Sequence, residues 1–199
     1  MGRRKLKDQE IEQFRSTLMD TALRLFAKEG YKTVSTRSLA AAAGCSAMTP
    51  YRYFKDKAAI FDACRCRAFT DFAQSQERVA EQHLQPMTRL KALGQAYANY
   101  ATDNPDAFRL MFELDQSEQS SKGLVNAEHR AFNTLRVAVS EAVQQGVLKG
   151  DPANLAHFFW ASLHGIVILD LSNKLIHGRS KHTLLKSLFD GDFTSAKVS

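Results

Sequence analysis

The sequence predicts an all-α protein, and three observations carry that prediction. Apolar residues recur at spacings of three and four along most of the chain, and no stretch alternates in the period-two pattern of a strand. Capping residues, prolines and glycines also punctuate the apolar stripes where helices would start and stop. With 199 residues, 44% of them hydrophobic and 24% charged, the chain can build one large packed unit or two small ones.

The first stripe is Ile11, Phe14, Leu18, Ala22, Leu25 and Phe26, one face of a helix over about 9–29 that Gly30 stops in the left-handed conformation. Ser35 or Thr36 caps a second helix, Arg37 to Ala43, whose run Leu39-Ala-Ala-Ala-Ala43 joins high helix propensity to side chains small enough for close contact. Gly44 breaks it, and Ser46 is placed to cap a short third helix ending near Phe54. In that helix Pro50 falls in the first turn, where a missing N–H costs little.

Asp56 reads as the N-cap of a long fourth helix, with Ala59, Ile60, Ala63, Cys64 and Phe69 on its apolar face, fading near His83 before Pro86. Further helical patterns cover about 88–102, 105–114, 122–145, 152–177 and 181–190. Asn104-Pro105 and Asp151-Pro152 each place a capping residue before a proline at the first helical position. Gly146 closes one helix, and the polar segment Asp115–Ser121 reads as a mobile loop.

The formal net charge of +6 is unevenly placed. Residues 1–57 hold 12 of the 27 lysines and arginines but 6 of the 21 acidic residues, so the whole excess lies there. A localised basic segment suits a polyanion, because each cation set against a phosphate releases a condensed counterion. A plain solvated face fits the same charge equally well.

Cys45, Cys64 and Cys66 are odd in number, and two stand one residue apart, so they read as isolated thiols of a reducing cytoplasm. The opening Met1-Gly-Arg-Arg-Lys-Leu-Lys7 lacks the apolar core of a secretory signal, and a cytoplasmic protein is expected. The run Phe158–Leu169 is apolar but for Ser162 and His164, and is shorter than the roughly 20 residues of a membrane span. A helix apolar almost all round needs cover on more than one side, from its own core alone or from a second subunit as well. The second solution is the economical one, and it predicts a homodimer built from 152–177 and 181–190, with no membrane partner.

The stretch Gly30 to Lys57 gathers hydroxyl, Tyr, Arg and Lys groups at two helix N-termini and on the turn that follows. Helix, glycine turn, short helix is the plan of a unit that lays its second helix in the major groove, its side chains reaching base edges while amides and hydroxyls hold phosphates. An ordinary helical hairpin has the same spacing. The chain carries no P-loop, Gly-x-Ser-x-Gly elbow, His-Glu-x-x-His or dinucleotide fingerprint, and Cys64-Arg-Cys66 lacks metal spacing. No catalytic residue, metal site or cofactor is therefore expected.

Over about residues 9–61 the chain resembles the TetR family of bacterial transcriptional regulators. The resemblance rests on Gly30-Tyr31, Thr33-Val34-Ser35-Thr36, Leu39-Ala40, Ala43-Gly44, Tyr51-Arg-Tyr-Phe54 and Lys57. Beyond it, Trp160-Ala-Ser-Leu-His164-Gly165 resembles the Trp…His-Gly signature of one subgroup's sensing domain. The resemblance implies a helix-turn-helix DNA-binding domain over 1–55 and a helical ligand-sensing and dimerisation domain over 56–199, working as a repressor on a palindromic operator.

It implies that Thr36 and Arg37 meet a phosphate and a base, that Ala47, Met48 and Thr49 face the groove, and that Tyr51, Tyr53 and Lys57 hold the DNA backbone. Arg37 is the best reader, since a guanidinium bonds guanine O6 and N7 together. Either tyrosine could instead be a packing aromatic, and Leu39, Ala40 and Phe54 read as core. Three departures from the pattern stand out: Cys45 where valine is common, Pro50 where an apolar helix former is usual, and Ala47-Met48, which offer bases only apolar contact.

A small, mostly apolar effector is expected among the C-terminal helices, where charge balances. Its candidate contacts are Tyr97, Tyr100, Phe108, Met111, Phe112, Phe132, Phe159, Trp160 and His164. Each also fits a plain core position, and His164 fits a satisfied interior histidine.

Overall fold

A computed structural model describes residues 8–112 and 120–190. The expected loop 115–121 lies largely outside them. The described residues form eight α-helices and one 3₁₀ turn, and no strand: α1 (Asp8–Glu29), α2 (Thr36–Ala42), the 3₁₀ turn Pro50–Arg52, α3 (Lys57–Gln82), α4 (Pro86–Asp103), α5 (Pro105–Phe112), α6 (Lys122–Gln144), α7 (Pro152–Leu171) and α8 (Lys181–Asp190). The long fourth helix of the sequence pattern is α3, because the third element is not an α-helix.

Local chemistry explains most boundaries. Asp56 accepts the Ala59 N–H at 2.8 Å and Asp151 accepts that of Asn154 at 2.8 Å, so both caps hold as expected. Three helices end in one motif. At Gly44 (φ +67°), Gly146 (φ +72°) and Asn173 (φ +53°) the chain turns left-handed, and the two N–H groups at and after the turn bond the last free carbonyls.

The Asn173 stop ends α7 at Leu171, six residues before the 177 expected from the apolar pattern. Asparagine tolerates the left-handed region, and Lys174 N–H reaches back to Leu169 O at 2.7 Å. Asn104 also departs from expectation. Its side-chain amide donates to Tyr100 O at 3.2 Å, so its polar group closes α4 rather than opening α5.

The larger correction concerns the third helix. In a helix capped by Ser46, Pro50 stands where the first i→i−4 bond would form, one residue past the free first turn, and its ring would press on the Ser46 carbonyl. The chain takes i→i−3 bonds instead. Thr49 N–H donates to Ser46 O at 2.8 Å, Arg52 to Thr49 O at 3.1 Å and Tyr53 to Pro50 O at 3.0 Å, a turn followed by 3₁₀ geometry.

The helices pack as two compact units. The first comprises the described residues up to Phe69 with those of 105–127, and the second comprises Thr70–Asn104 with the described residues from Glu128 onward. Leu18, Ala22 and Phe26 of α1, Val34, Leu39, Phe54, then Ile60, Phe61 and Cys64 of α3, and Leu110 of α5 form the core of the first. Arg109 donates to Ala27 O at 2.6 Å, satisfying a carbonyl in the last turn of α1. Burial pushes the Cys64 thiol up to about 12, so it remains an inert thiol.

In the second unit α4 packs against α7 and α8. Phe159 of α7 and Phe189 of α8 stack in parallel, 5.6 Å between centroids. Among the described residues α7 is the helix whose length and composition would suffice to cross a membrane, at 20 residues, longer than its apolar run alone. Its Ala156, Phe159, Leu163 and Val167 are buried within the unit, while Phe158 and Leu169 stay about half exposed.

A Cβ on Gly94 would fall inside the van der Waals surface of the buried Phe189 ring. Gly94→Val should therefore destabilise the protein by about 1–3 kcal/mol, the cost of overpacking, in chemical denaturation. An unchanged midpoint would show that α8 does not depend on this notch.

Candidate nucleic-acid interface and ligand site

The first unit builds a head around α2. Ser35 and Ser38 cap it reciprocally, each backbone N–H donating to the other's hydroxyl at 3.0 Å. Thr36 and Arg37 follow in the first turn, Thr36 half-buried and Arg37 exposed, while Leu39 and Ala40 turn into the core. Gly44 then reverses the chain into the segment that carries Ala47, Met48 and Thr49.

Ala47 and Met48 are exposed, Met48 at 69%. Thr49 is half-buried, its hydroxyl 2.8 Å from that of Ser46. Of the two tyrosines, Tyr51 is 49% exposed, whereas Tyr53 packs on Phe14 with centroids 4.9 Å apart. Only Tyr51 thus presents its ring outward. Two exposed basic residues, Arg52 and Lys55, fall outside the set expected from the pattern; local charge was the available signal.

Lys57 is placed differently from expectation. Its ammonium donates to Tyr31 O and Val34 O, both at 2.8 Å, and lies 4.3 Å from the Tyr31 ring centroid. Two of its three donors hold the α1–α2 turn, so it positions α2 before it contacts anything else.

The nine expected ligand contacts divide between the units. Phe108, Met111 and Phe112 belong to the first, where Phe108 and Met111 are wholly buried and Phe112 meets Phe69 edge to face. Tyr97, Tyr100, Phe132, Phe159, Trp160 and His164 belong to the second. Phe159 is taken up in the α7–α8 stack.

The Tyr97 phenol lies 2.9 Å from His164 Nδ1, so the histidine of the Trp…His-Gly signature has an interior partner. Burial pushes the Tyr97 phenol well above its usual range, with a hydrogen bond from Trp160 pulling the other way. Burial, and secondarily the charge of Asp71, raises Tyr100 likewise. Phe72 packs edge to face on both rings, at 5.4 and 5.1 Å. Phe132 packs on Trp160 with the rings tilted and 5.5 Å between centroids, and Trp160 is itself 37% exposed.

Two family models match this architecture: one for bacterial regulatory proteins of the tetR family over residues 18–64, and one for the tetracyclin repressor-like C-terminal domain over 90–191. The chain belongs to the TetR family. It is a helix-turn-helix, DNA-binding transcriptional regulator, and the family is not one of enzymes.

No curated protein matches the sequence significantly. Among solved structures, a Rhodococcus sp. RHA1 protein of unknown function is 26% identical, with 89% of this chain and 94% of that one covered and a TM-score of 0.77. The transcriptional regulator FadR of Bacillus subtilis, solved with stearoyl-CoA, is 16% identical over 88% of this chain and 98% of that one, with a TM-score of 0.75. AibR, solved with isovaleryl coenzyme A and operator DNA, is 19% identical over 89% and 97%, at 0.71. The last two share the fold.

Arg37 and Lys57 should therefore separate in experiment. Arg37→Ala is expected to leave stability within about 0.5 kcal/mol while weakening specific DNA binding by about 1–3 kcal/mol and relaxing one base position. Lys57→Met, which keeps the stem and removes the ammonium, should cost about 1–3 kcal/mol of stability by orphaning two carbonyls. Denaturation curves with binding anisotropy on specific and random DNA read both. A Lys57→Met protein of full stability would refute the clamp.

Proposed function

We propose that the chain acts in the cytoplasm as a homodimeric repressor that leaves a palindromic operator when an acyl-CoA binds, its apolar acyl chain entering the second unit. In this reading residues 1–55 form the DNA head and 56–199 the sensing and dimerisation domain. Arg37 and Thr36 approach DNA from the start of α2. Ala47, Met48 and Thr49 face the groove, with thymine methyls and DNA shape as the readable features. Tyr51 flanks the backbone, Tyr53 packs behind it on Phe14, and Lys57 holds the α1–α2 turn from which α2 approaches.

The observation that carries the reading is the uncovered face of α7. Asn154, Phe158, Ala161, Gly165 and Leu169 are exposed at spacings of four, three, four and four, one stripe along a helix of high mean hydropathy. A Cβ at Gly165 would meet nothing within 4 Å. Small residues between two large ones allow a second copy of the helix to approach closely, and two-fold pairing is what a palindromic site requires.

The acyl-CoA class is supported by the ligands of the two fold neighbours, stearoyl-CoA in one and isovaleryl coenzyme A in the other. An acyl chain suits walls built from Phe72, Tyr97, Tyr100 and Phe132, with nucleotide phosphates left at the surface. Repression released in this way needs a ligand that prefers the conformation fitting DNA poorly, a coupling of about 1–3 kcal/mol.

DNase protection of the DNA flanking the gene tests the function. A protected palindrome that opens as stearoyl-CoA or isovaleryl-CoA is added is expected, and binding random DNA equally well would defeat the proposal. For the dimer, Phe158→Glu should give a folded monomer by sedimentation that no longer binds the palindrome. A Phe158→Glu dimer with full operator affinity would place the interface elsewhere.

A further inference from the structure

Within the second unit one polar group is buried without a use. Gln76 of α3 is 5% exposed, and its Nε2 has no hydrogen-bond acceptor among the described residues. An amide N–H shut away from water without an acceptor is a standing cost, and such groups in native proteins call for an explanation such as a bound molecule.

The neighbours of Gln76 locate it. One turn earlier, Phe72 faces α4 and packs edge to face on Tyr97 and Tyr100. One residue later, Glu77 faces α6 and accepts both arms of the Arg130 guanidinium, at 2.7 and 2.6 Å. At about 100° per residue, Gln76 lies about 40° round the helix from Phe72 on the way to Glu77. It therefore projects between the directions of α4 and α6, beside the cluster of Phe72, Tyr97 and Tyr100 and inside the unit. The flanking contacts are satisfied; the residue between them is not.

The geometry points to Gln76 as the polar anchor of the effector site, donating Nε2–H to the thioester carbonyl oxygen at the head of the ligand's apolar acyl chain. A side-chain amide left with a donor selects an acceptor, and a carbonyl is the acceptor that sits at the head of an acyl chain. The anchor rests on the acyl-CoA reading and adds to it which atom of the ligand is recognised and by which residue.

A two-by-two experiment separates this claim from the one beneath it. Palmitoyl-CoA and S-hexadecyl-CoA differ in the carbonyl, so calorimetry of both on the wild-type dimer and on Gln76→Leu isolates the bond. The wild type is expected to prefer the thioester by about tenfold or more, and Gln76→Leu to bind the two alike while keeping affinity for the thioether. The unliganded variant should melt at the wild-type temperature or above it, since leucine removes an orphaned donor.

Undiminished preference for the thioester in Gln76→Leu would overturn the anchor alone and leave the acyl-CoA reading standing. A melting temperature lowered by several degrees would likewise overturn the anchor, because the amide would then be satisfied by the fold. Binding of neither compound to the wild type would overturn the acyl-CoA reading itself, and the anchor with it.

Discussion

The DNA head depends on one ammonium group. The turn between α1 and α2 leaves the carbonyls of Tyr31 and Val34 facing inward, and Lys57 closes on both while resting against the Tyr31 ring. Without a charged donor those carbonyls would be desolvated and unpaired. Because Lys57 is the first residue of α3, the clamp fixes where α2 sits relative to that helix. The intervening segment is held at both ends, by Leu39 and Ala40 on one side and by Phe54, Ile60 and Phe61 on the other. What happens between those anchors is decided by Pro50, which forbids the α-helical bond to Ser46 and leaves a 3₁₀ turn.

Features governed by neighbouring residues were legible in the sequence. The caps at Ser35, Asp56 and Asp151, the glycine stops at Gly44 and Gly146 and the core role of Leu39, Ala40 and Phe54 all follow from a few consecutive side chains. The family itself was legible through the pattern from Gly30 to Lys57. Pro50 is harder to read, because a single position counted from the cap separates a free first-turn N–H from the first i→i−4 bond. The stop at Asn173 is not legible, because an apolar pattern registers side chains and not the left-handed backbone that ends a helix.

Long-range placement was not legible. Nothing near Lys57 in sequence tells that its ammonium points back to residues 31 and 34 rather than outward. Tyr51 and Tyr53 look alike in the sequence, and only the position of Phe14 makes one a packing ring. Leu110 joins the head core from a helix far along the chain. Gln76 lies in a run, Gln-Ser-Gln-Glu, that reads as a solvated face, and tertiary packing buries it. In the second unit the contrast between a satisfied Tyr97–His164 pair and an unsatisfied Gln76 exists only once the helices are assembled.

A regulator of this kind works only if ligand and operator prefer different conformations of one protein, and that preference is reciprocal by thermodynamic necessity. The decisive measurement is calorimetric titration of stearoyl-CoA into the protein, with and without saturating operator, beside operator titrations with and without saturating stearoyl-CoA. The account predicts that each ligand weakens the other by the same factor, about 5- to 150-fold. Operator affinity that is unchanged by saturating stearoyl-CoA, with the ligand demonstrably bound, would contradict it.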